Sequence, residues 1–203
     1  MDTNEFPTKG NLLLAKNTLR MSKQGYELLD KKRSLLIREL MQLIEIAEKI
    51  QTSIDVTFTE AYAALQRANI ELGINTVERI SYAVPIEKNV SVKLRSIMGV
   101  EIPMITLTET PNKPPFGFYG TTTGLDMAYL KFAKVKELTI SLSEVENSAY
   151  RLANNIQKTQ KRANALENIT IPKYQTLAKN IQNALEEKER EEFTRLKVIK
   201  SRK

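Results

Sequence analysis

Gly117-Phe-Tyr-Gly-Thr-Thr-Thr-Gly124 is the one stretch of this sequence that could cradle a phosphate, because closely spaced glycines let backbone N–H groups converge on an anion. A nucleotide-binding phosphate loop also needs a lysine and then a hydroxyl residue after its last glycine, to meet phosphate and metal. Leu125 and Asp126 stand there instead, which argues against nucleotide binding. The run Glu186-Glu-Lys-Glu-Arg-Glu-Glu192 holds enough carboxylate for a divalent cation. Its interleaved cations make it a solvated helix face with i,i+4 pairs. Asn89-Val-Ser91 and Asn168-Ile-Thr170 match the glycosylation sequon. The start, Met1-Asp-Thr-Asn-Glu-Phe-Pro, lacks the basic and apolar regions of a secretory leader, so both sequons read as coincidence.

What is missing narrows the chemistry further. The 203 residues include no Cys and no His. That excludes disulfides, Cys/His zinc sites, thiol nucleophiles and imidazole-based triads. No catalytic, cofactor-binding or metal-binding residue is assigned, and no cofactor is expected. No apolar run approaches the roughly 18 residues of a membrane span, so direct membrane insertion is not expected. The lack of Cys fits a soluble cytosolic chain. Charged residues make up 27% of the chain and the formal net charge is +7, which suggests an acidic partner surface.

Glycine and proline define the elements that must present these side chains. Five of seven Gly and five of seven Pro fall between residues 73 and 124. Each costs a helix interior roughly 1 and 3 kcal/mol against Ala, so the flanks they avoid read as long helices. The first flank could reach roughly 90 Å at about 1.5 Å per residue. Steps of three and four through it select Leu12, Ala15, Leu19, Ser22, Tyr26, Leu29, Arg33, Leu36, Leu40, Leu43, Ala47, Ile50 and Ile54, of which only two are polar. A four-residue stutter leads on to Phe58, Ala61, Leu65, Ala68 and Leu72. The second flank repeats the pattern through Val135, Leu138, Leu142, Val145, Ala149, Leu152, Ile156, Thr159, Ala163 and Leu166. It resumes beyond Pro172 at Leu177, Ile181, Leu185, Phe193, Leu196 and Ile199. Such heptads predict a coiled coil, with Pro172 kinking the second helix near Thr170 rather than ending it. Thr8 is the expected cap of the first helix, and Thr123 with Asp126 has the spacing of a capping box for the second.

The predicted fold is therefore all-α dominated. It is a long antiparallel two-helix coiled coil with a small β-hairpin and a loop inserted at the end distal to the termini. The organisation is 1–72, N-terminal long helix; 73–124, middle segment; 125–203, C-terminal long helix. Within the middle segment, Val90 to Arg95 alternates and Val100 to Thr108 is rich in Ile, Val and Thr, with Met98-Gly99 between them. That predicts a hairpin over about 89–108, its second strand marked as an edge by Pro103, followed by a loop over 111–124.

Two groups of residues look outward. Lys9, Lys16, Arg20, Lys23, Lys31, Lys32, Arg33 and Arg38 outnumber four acidic residues in the first 38 positions, and Arg195, Lys197, Lys200, Arg202 and Lys203 lie near the end. An antiparallel hairpin would bring them to one tip, where an acidic protein sleeve would meet them. No aromatics are interleaved there, and nucleic acid is not the expected partner. Arg33, at a seam position, is expected to snorkel to a flanking Glu, the alternative being a register device. Leu28 and Leu35, and separately Ile37, Ile44 and Ile46, lie beside the seam, more apolar surface than a two-helix contact buries. They form a candidate docking surface.

Several stretches, in order along the whole chain, carry a family likeness. They are Pro7-Thr-Lys-Gly-Asn-Leu12, Lys31-Lys-Arg-Ser-Leu-Leu36, Ile97-Met-Gly-Val-Glu-Ile-Pro103, Arg162-Ala-Asn-Ala-Leu-Glu167 with Ile171-Pro172, and Glu189-Arg-Glu-Glu-Phe193 with Leu196-Lys197. In these the chain resembles the D subunit of the V-type and A-type rotary ATPases. The resemblance implies a non-catalytic central-stalk rotor shaft that transmits torque. ATP is turned over in a surrounding A/B-type catalytic hexamer, and ions cross at a membrane ring. It implies three partners: the hexamer, the small central-stalk F subunit on the side of the shaft, and the subunit coupling the shaft to the ring. It also implies a cytoplasmic, membrane-peripheral location. By that analogy Lys9 to Arg38 with Arg195 to Lys203 form the surface bearing on the hexamer. The flanking Leu and Ile residues meet the hexamer or the F subunit, and Met98, Gly99 and Val100 form the hairpin tip. A free-standing basic coiled-coil scaffold or adaptor is the rival reading.

Overall fold

In the computed structural model the described residues are 6–86, 90–107, 114–117 and 119–201. Four α-helices and two strands follow in the order α1 (Lys9–Leu72), α2 (Ile74–Ser81), β1 (Val90–Ile97), β2 (Val100–Leu107), α3 (Thr123–Ala165) and α4 (Ile171–Ser201). A single π-helical turn, Leu166–Thr170, lies between α3 and α4. The chain forms two compact units, one of Met1–Leu35 with Ile156–Lys203 and one of Leu36–Asn155.

In the first unit the opening of α1 runs antiparallel to the chain from Ile156 onward. Arg33 meets Gln160, Gly25 faces Leu166, and Lys9 meets Glu189. Ala15, Ser22, Thr159, Ala163, Ala178 and Ile181 are its buried residues. They are mostly small, which lets the two backbones approach. Thr8 caps α1: its Oγ1 accepts the N–H of Asn11 at 3.1 Å, satisfying one of the donors a helix start leaves open. Pro172 does not end the helix, since α4 continues to Ser201. The adjustment falls just before it, where the Ile171 N–H reaches back five residues to the Leu166 carbonyl. The Thr170 hydroxyl donates to the Ala165 carbonyl at 3.3 Å. A π-helical turn therefore occupies the stretch near Thr170 where the sequence predicts a kink.

In the second unit α1 again lies antiparallel to α3, with Glu60 beside Lys131 and Gly124 against Ala68. Leu36 and Leu152 are fully buried, and each is worth about 1.5–3 kcal/mol relative to exposure. Phe58, Tyr62 and Phe132 form a ring cluster with centroids 5.5–6.4 Å apart. The stutter after Ile54 leaves Thr57 buried, its hydroxyl donating to the Ser53 carbonyl at 2.6 Å. Every seam residue expected up to Leu185 is buried or half-buried. Phe193, Leu196 and Ile199 are exposed instead, as is every described residue from Glu186 to Ser201.

The middle segment departs from expectation in two places. Gly73, at φ 83°, breaks the helix, and the chain immediately forms α2, which was not expected. Val77 of α2 packs on Ala68 and Leu125, joined by Leu65, Leu72, Ile80 and Phe116. Between α2, Phe116, Tyr129 and Phe132 lies an apolar cavity of about 660 Å³. The second correction concerns the α3 cap. The N–H groups of Leu125 and Asp126 bond the carbonyl of Thr122, which places the cap one residue before Thr123, and the Thr122 and Asp126 side chains make no cap bond.

The hairpin forms as a two-stranded antiparallel sheet pairing Val90 with Leu107 through Ile97 with Val100. Its expected outermost residues, Asn89 and Thr108, lie outside the described residues, as do 111–113 and Phe118 of the expected loop. Met98 and Gly99 form its turn with φ 51° and 74°, both in the left-handed region. Two positive φ values identify the type I′ turn, whose twist suits a two-residue hairpin. Val100 and Ile102 are buried, and Ile97, Ile102 and Pro103 share a shallow cleft with Leu43, Val145 and Leu152.

Candidate functional site

The residues singled out in the sequence are basic and apolar side chains of the helices and the hairpin turn, and the two units hold different subsets. The first unit carries Lys9, Lys16, Arg20, Lys23, Leu28 and Leu35 on α1 and Arg195, Lys197 and Lys200 on α4, all exposed. Both basic stretches therefore belong to one unit. Arg38 falls in the other, again exposed, and Arg202 and Lys203 lie outside the described residues. Lys9 reaches Glu189 at 3.2 Å and Arg195 reaches Glu191 at 3.8 Å. Both pairs are mostly exposed, where such contacts contribute under about 1 kcal/mol.

Leu28 and Leu35 are 67% and 37% exposed. Met21 and Leu14, seven and fourteen residues before Leu28, are exposed as well. The four recur at one heptad position beside the seam, an apolar row that needed only the seven-residue spacing to be seen. Ile37, Ile44 and Ile46 are exposed on the second unit's part of α1. Met98 is exposed at the turn with Gly99. Val100 is 2% exposed, so its side chain belongs to the packing under the hairpin and not to its tip.

Arg33 shows how the seam tolerates a cation. Its guanidinium pairs with Asp30 one turn earlier and donates across the seam to Gln160 Oε1, while Gln160 Nε2 donates to Asn164 Oδ1. The partner is thus an Asp and a cross-helix amide, not the expected Glu. Nearby, the negative charge of Glu167, helped by burial, raises the Tyr26 phenol pKa above its usual 10.0. In the second unit Glu60 is held below its usual carboxylate value by the hydrogen bond and charge of Lys131, at 2.8 Å.

The phosphate and metal readings gain nothing from the geometry. Gly120 takes φ 77° in a turn, but Gly124 sits inside α3 against the Ala68 backbone. Among the described residues no cluster of His, Cys, Asp or Glu could hold a metal ion, and no helix is long and apolar enough to cross a membrane.

These features define a class: a helical-hairpin protein with a small sheet, carrying apolar and basic surface outside its own seam. Residues 11–201 match the family model of the ATP synthase D subunit, and the chain belongs to that family. It is 46% identical to the V-type ATP synthase D subunit of Thermotoga neapolitana over 97% of both chains. It is 37% identical to the A-type ATP synthase D subunit of Pyrococcus horikoshii, and 34% identical to that of Methanosphaera stadtmanae. Both alignments cover 96% of this chain and 92% of the relative.

Proposed function

We propose that this chain is the central rotor shaft of a V/A-type ATP synthase, a non-catalytic component carrying torque between a catalytic hexamer and an ion-translocating membrane ring. The observation that supports it most is the surplus apolar surface. In a chain of this family, seam packing leaves Leu14, Met21, Leu28 and Leu35 exposed at seven-residue intervals, with Lys16, Arg20 and Lys23 alongside. Covering one such side chain is worth about 1.5–3 kcal/mol, so a sleeve around this row gains substantially. On this reading the basic stretches and the apolar row bear on the hexamer or on the small F subunit. The turn at Met98 and Gly99 lies toward the ring-coupling subunit, and the complex sits on the cytoplasmic face of the membrane.

The test is to capture the tagged chain from its native membranes and assay Mg-ATP hydrolysis on the eluate. The expected result is a nucleotide-binding hexamer and a small subunit in fixed stoichiometry, with ATPase activity. Capture of the chain alone, or with partners lacking ATPase, favours the free-standing scaffold. Charge reversal at Arg20, Lys23 and Arg38 is expected to weaken coupling of hydrolysis to ion transport, and unchanged coupling removes these residues from the bearing surface.

A further inference from the structure

The two edges of the β-hairpin are in different states. In a hairpin with a two-residue turn the pair flanking the turn exchanges both hydrogen bonds, and bonded and non-bonded pairs then alternate. Starting from Ile97 and Val100, the main-chain groups of Ser91, Lys93, Arg95 and Ile97 point at β2, and those of Val90, Val92, Leu94 and Ser96 point outward. The far edge of β2 obeys the same count and is occupied. The Ile105 N–H donates to Glu144 Oε2 at 2.8 Å, and Arg151 Nη1 donates to the Glu101 carbonyl at 3.1 Å. Pro103, which has no N–H to offer, also falls on that edge. Among the described residues the β1 edge has no such cover: its outward residues Val90, Val92, Leu94 and Ser96 are all exposed, Val92 at 61% and Leu94 at 59%.

We propose that the β1 edge is a strand-addition site for an extended, acidic segment of another protein chain that alternates carboxylate and apolar residues. Strand addition draws affinity from main-chain hydrogen bonds and specificity from alternate side chains. Here one alternate set, Val90, Val92 and Leu94, is apolar. The other places Lys93 and Arg95 on the opposite face, with no acidic residue anywhere in β1. Neither cation forms an ion pair with a described residue. Antiparallel pairing of two β1 copies centred on Lys93 or Leu94 sets cation opposite cation, which is unfavourable directly across strands. The charges that block a second copy favour a carboxylate-bearing strand. The proposal does not depend on the shaft reading, since it follows from the hairpin alone.

The test uses the full chain and two end-blocked, fluorescein-labelled octapeptides, one alternating Val with Glu and one alternating Val with Lys. Binding is followed by anisotropy, and amide hydrogen exchange is read at single residues. The Glu peptide is expected to bind and to slow exchange at Val92, Leu94 and Ser96. Two cross-strand charge pairs give a preference of about tenfold over the Lys peptide. Lys93→Glu with Arg95→Glu reverses that preference. Leu94→Pro removes an outward N–H while sparing the inward bonds, and it abolishes binding of both peptides with protection at Arg95 retained. The proposal is overturned by no binding, by equal binding of both peptides, by binding that leaves the outward amides unprotected, or by protein-concentration-dependent protection without peptide, which would assign the edge to a second copy.

Discussion

Gly25 of α1 faces Leu166, the first residue of the π turn, so closely that a Cβ on Gly25 would stand 3.7 Å from Leu166 Cδ1. That separation is ordinary van der Waals contact, with room for one methyl group and little more. A glycine that can take a methyl group without conflict holds α1 below its attainable stability.

Gly25→Ala is therefore expected to stabilise the protein by about 0.5–1 kcal/mol, through helix propensity and a less flexible unfolded chain. Gly25→Leu is expected to destabilise by about 1–3 kcal/mol, because the larger side chain must displace Leu166 and disturb the π turn. Thermal and urea melts of the three proteins check both signs. A destabilised Ala variant would show that the turn needs closer approach than the present packing.

Arg33 and Gln160 give a second expectation. A guanidinium–amide bond across a half-buried seam contributes more than an exposed ion pair and less than a fully buried one. A double-mutant cycle with Arg33→Ala and Gln160→Ala is expected to return a coupling of about 1 kcal/mol. A coupling near zero would mean that Arg33 is held by Asp30 alone.

How much of this was visible in the sequence depends on the range of each interaction. The seam was legible because a three-four period over many turns averages out local exceptions. The hairpin was legible because Met98-Gly99 separates two β-rich runs. Helix α2 was not: eight residues directly after Gly73 give Val77 and Ile80 too little length for periodicity to register. The π turn leaves no trace of its own apart from Pro172. Gln160 as partner of Arg33 lies 127 residues away, and only the register of the two helices brings it close. The outward row was half legible, Leu28 and Leu35 without Leu14 and Met21, because Leu14 sits inside the apolar run Leu12-Leu13-Leu14-Ala15, where only the seven-residue recurrence separates it from the seam. The exposed end of α4 misleads for the opposite reason, since Phe193, Leu196 and Ile199 continue a period without a seam to bury them.

Tyr26 carries a pH prediction. Its folded phenol ionises above 10.0, chiefly because Glu167 opposes a second negative charge, with burial adding to that effect. A group whose folded pKa is raised stabilises the fold fully below its unfolded value. For Tyr26 that contribution is lost as pH climbs through the higher folded value. Ultraviolet titration is expected to show one tyrosine ionising late, and Glu167→Gln is expected to return it toward 10.0. No change in the Glu167→Gln titration would assign the shift to burial and the charge of Asp30.

Met98 holds a left-handed backbone, φ 51°, at the first central position of a type I′ turn, where asparagine or glycine is favoured. A methionine there carries backbone strain of about 1–2 kcal/mol. Its side chain is exposed, so little burial offsets that cost. Met98→Asn keeps the turn geometry and relieves much of the strain. Slower amide exchange is expected at the inward pairs near the turn, Ile97 with Val100 and Arg95 with Ile102, by about five- to tenfold for roughly 1 kcal/mol gained. Amides buried between α1 and α3 are expected to exchange as before, because the hairpin opens locally before the helices separate. If Met98→Asn instead speeds exchange at Ile97 and Val100, the methionine side chain makes a contact worth more than the strain it imposes. The exposed turn would then be held by packing rather than by backbone preference.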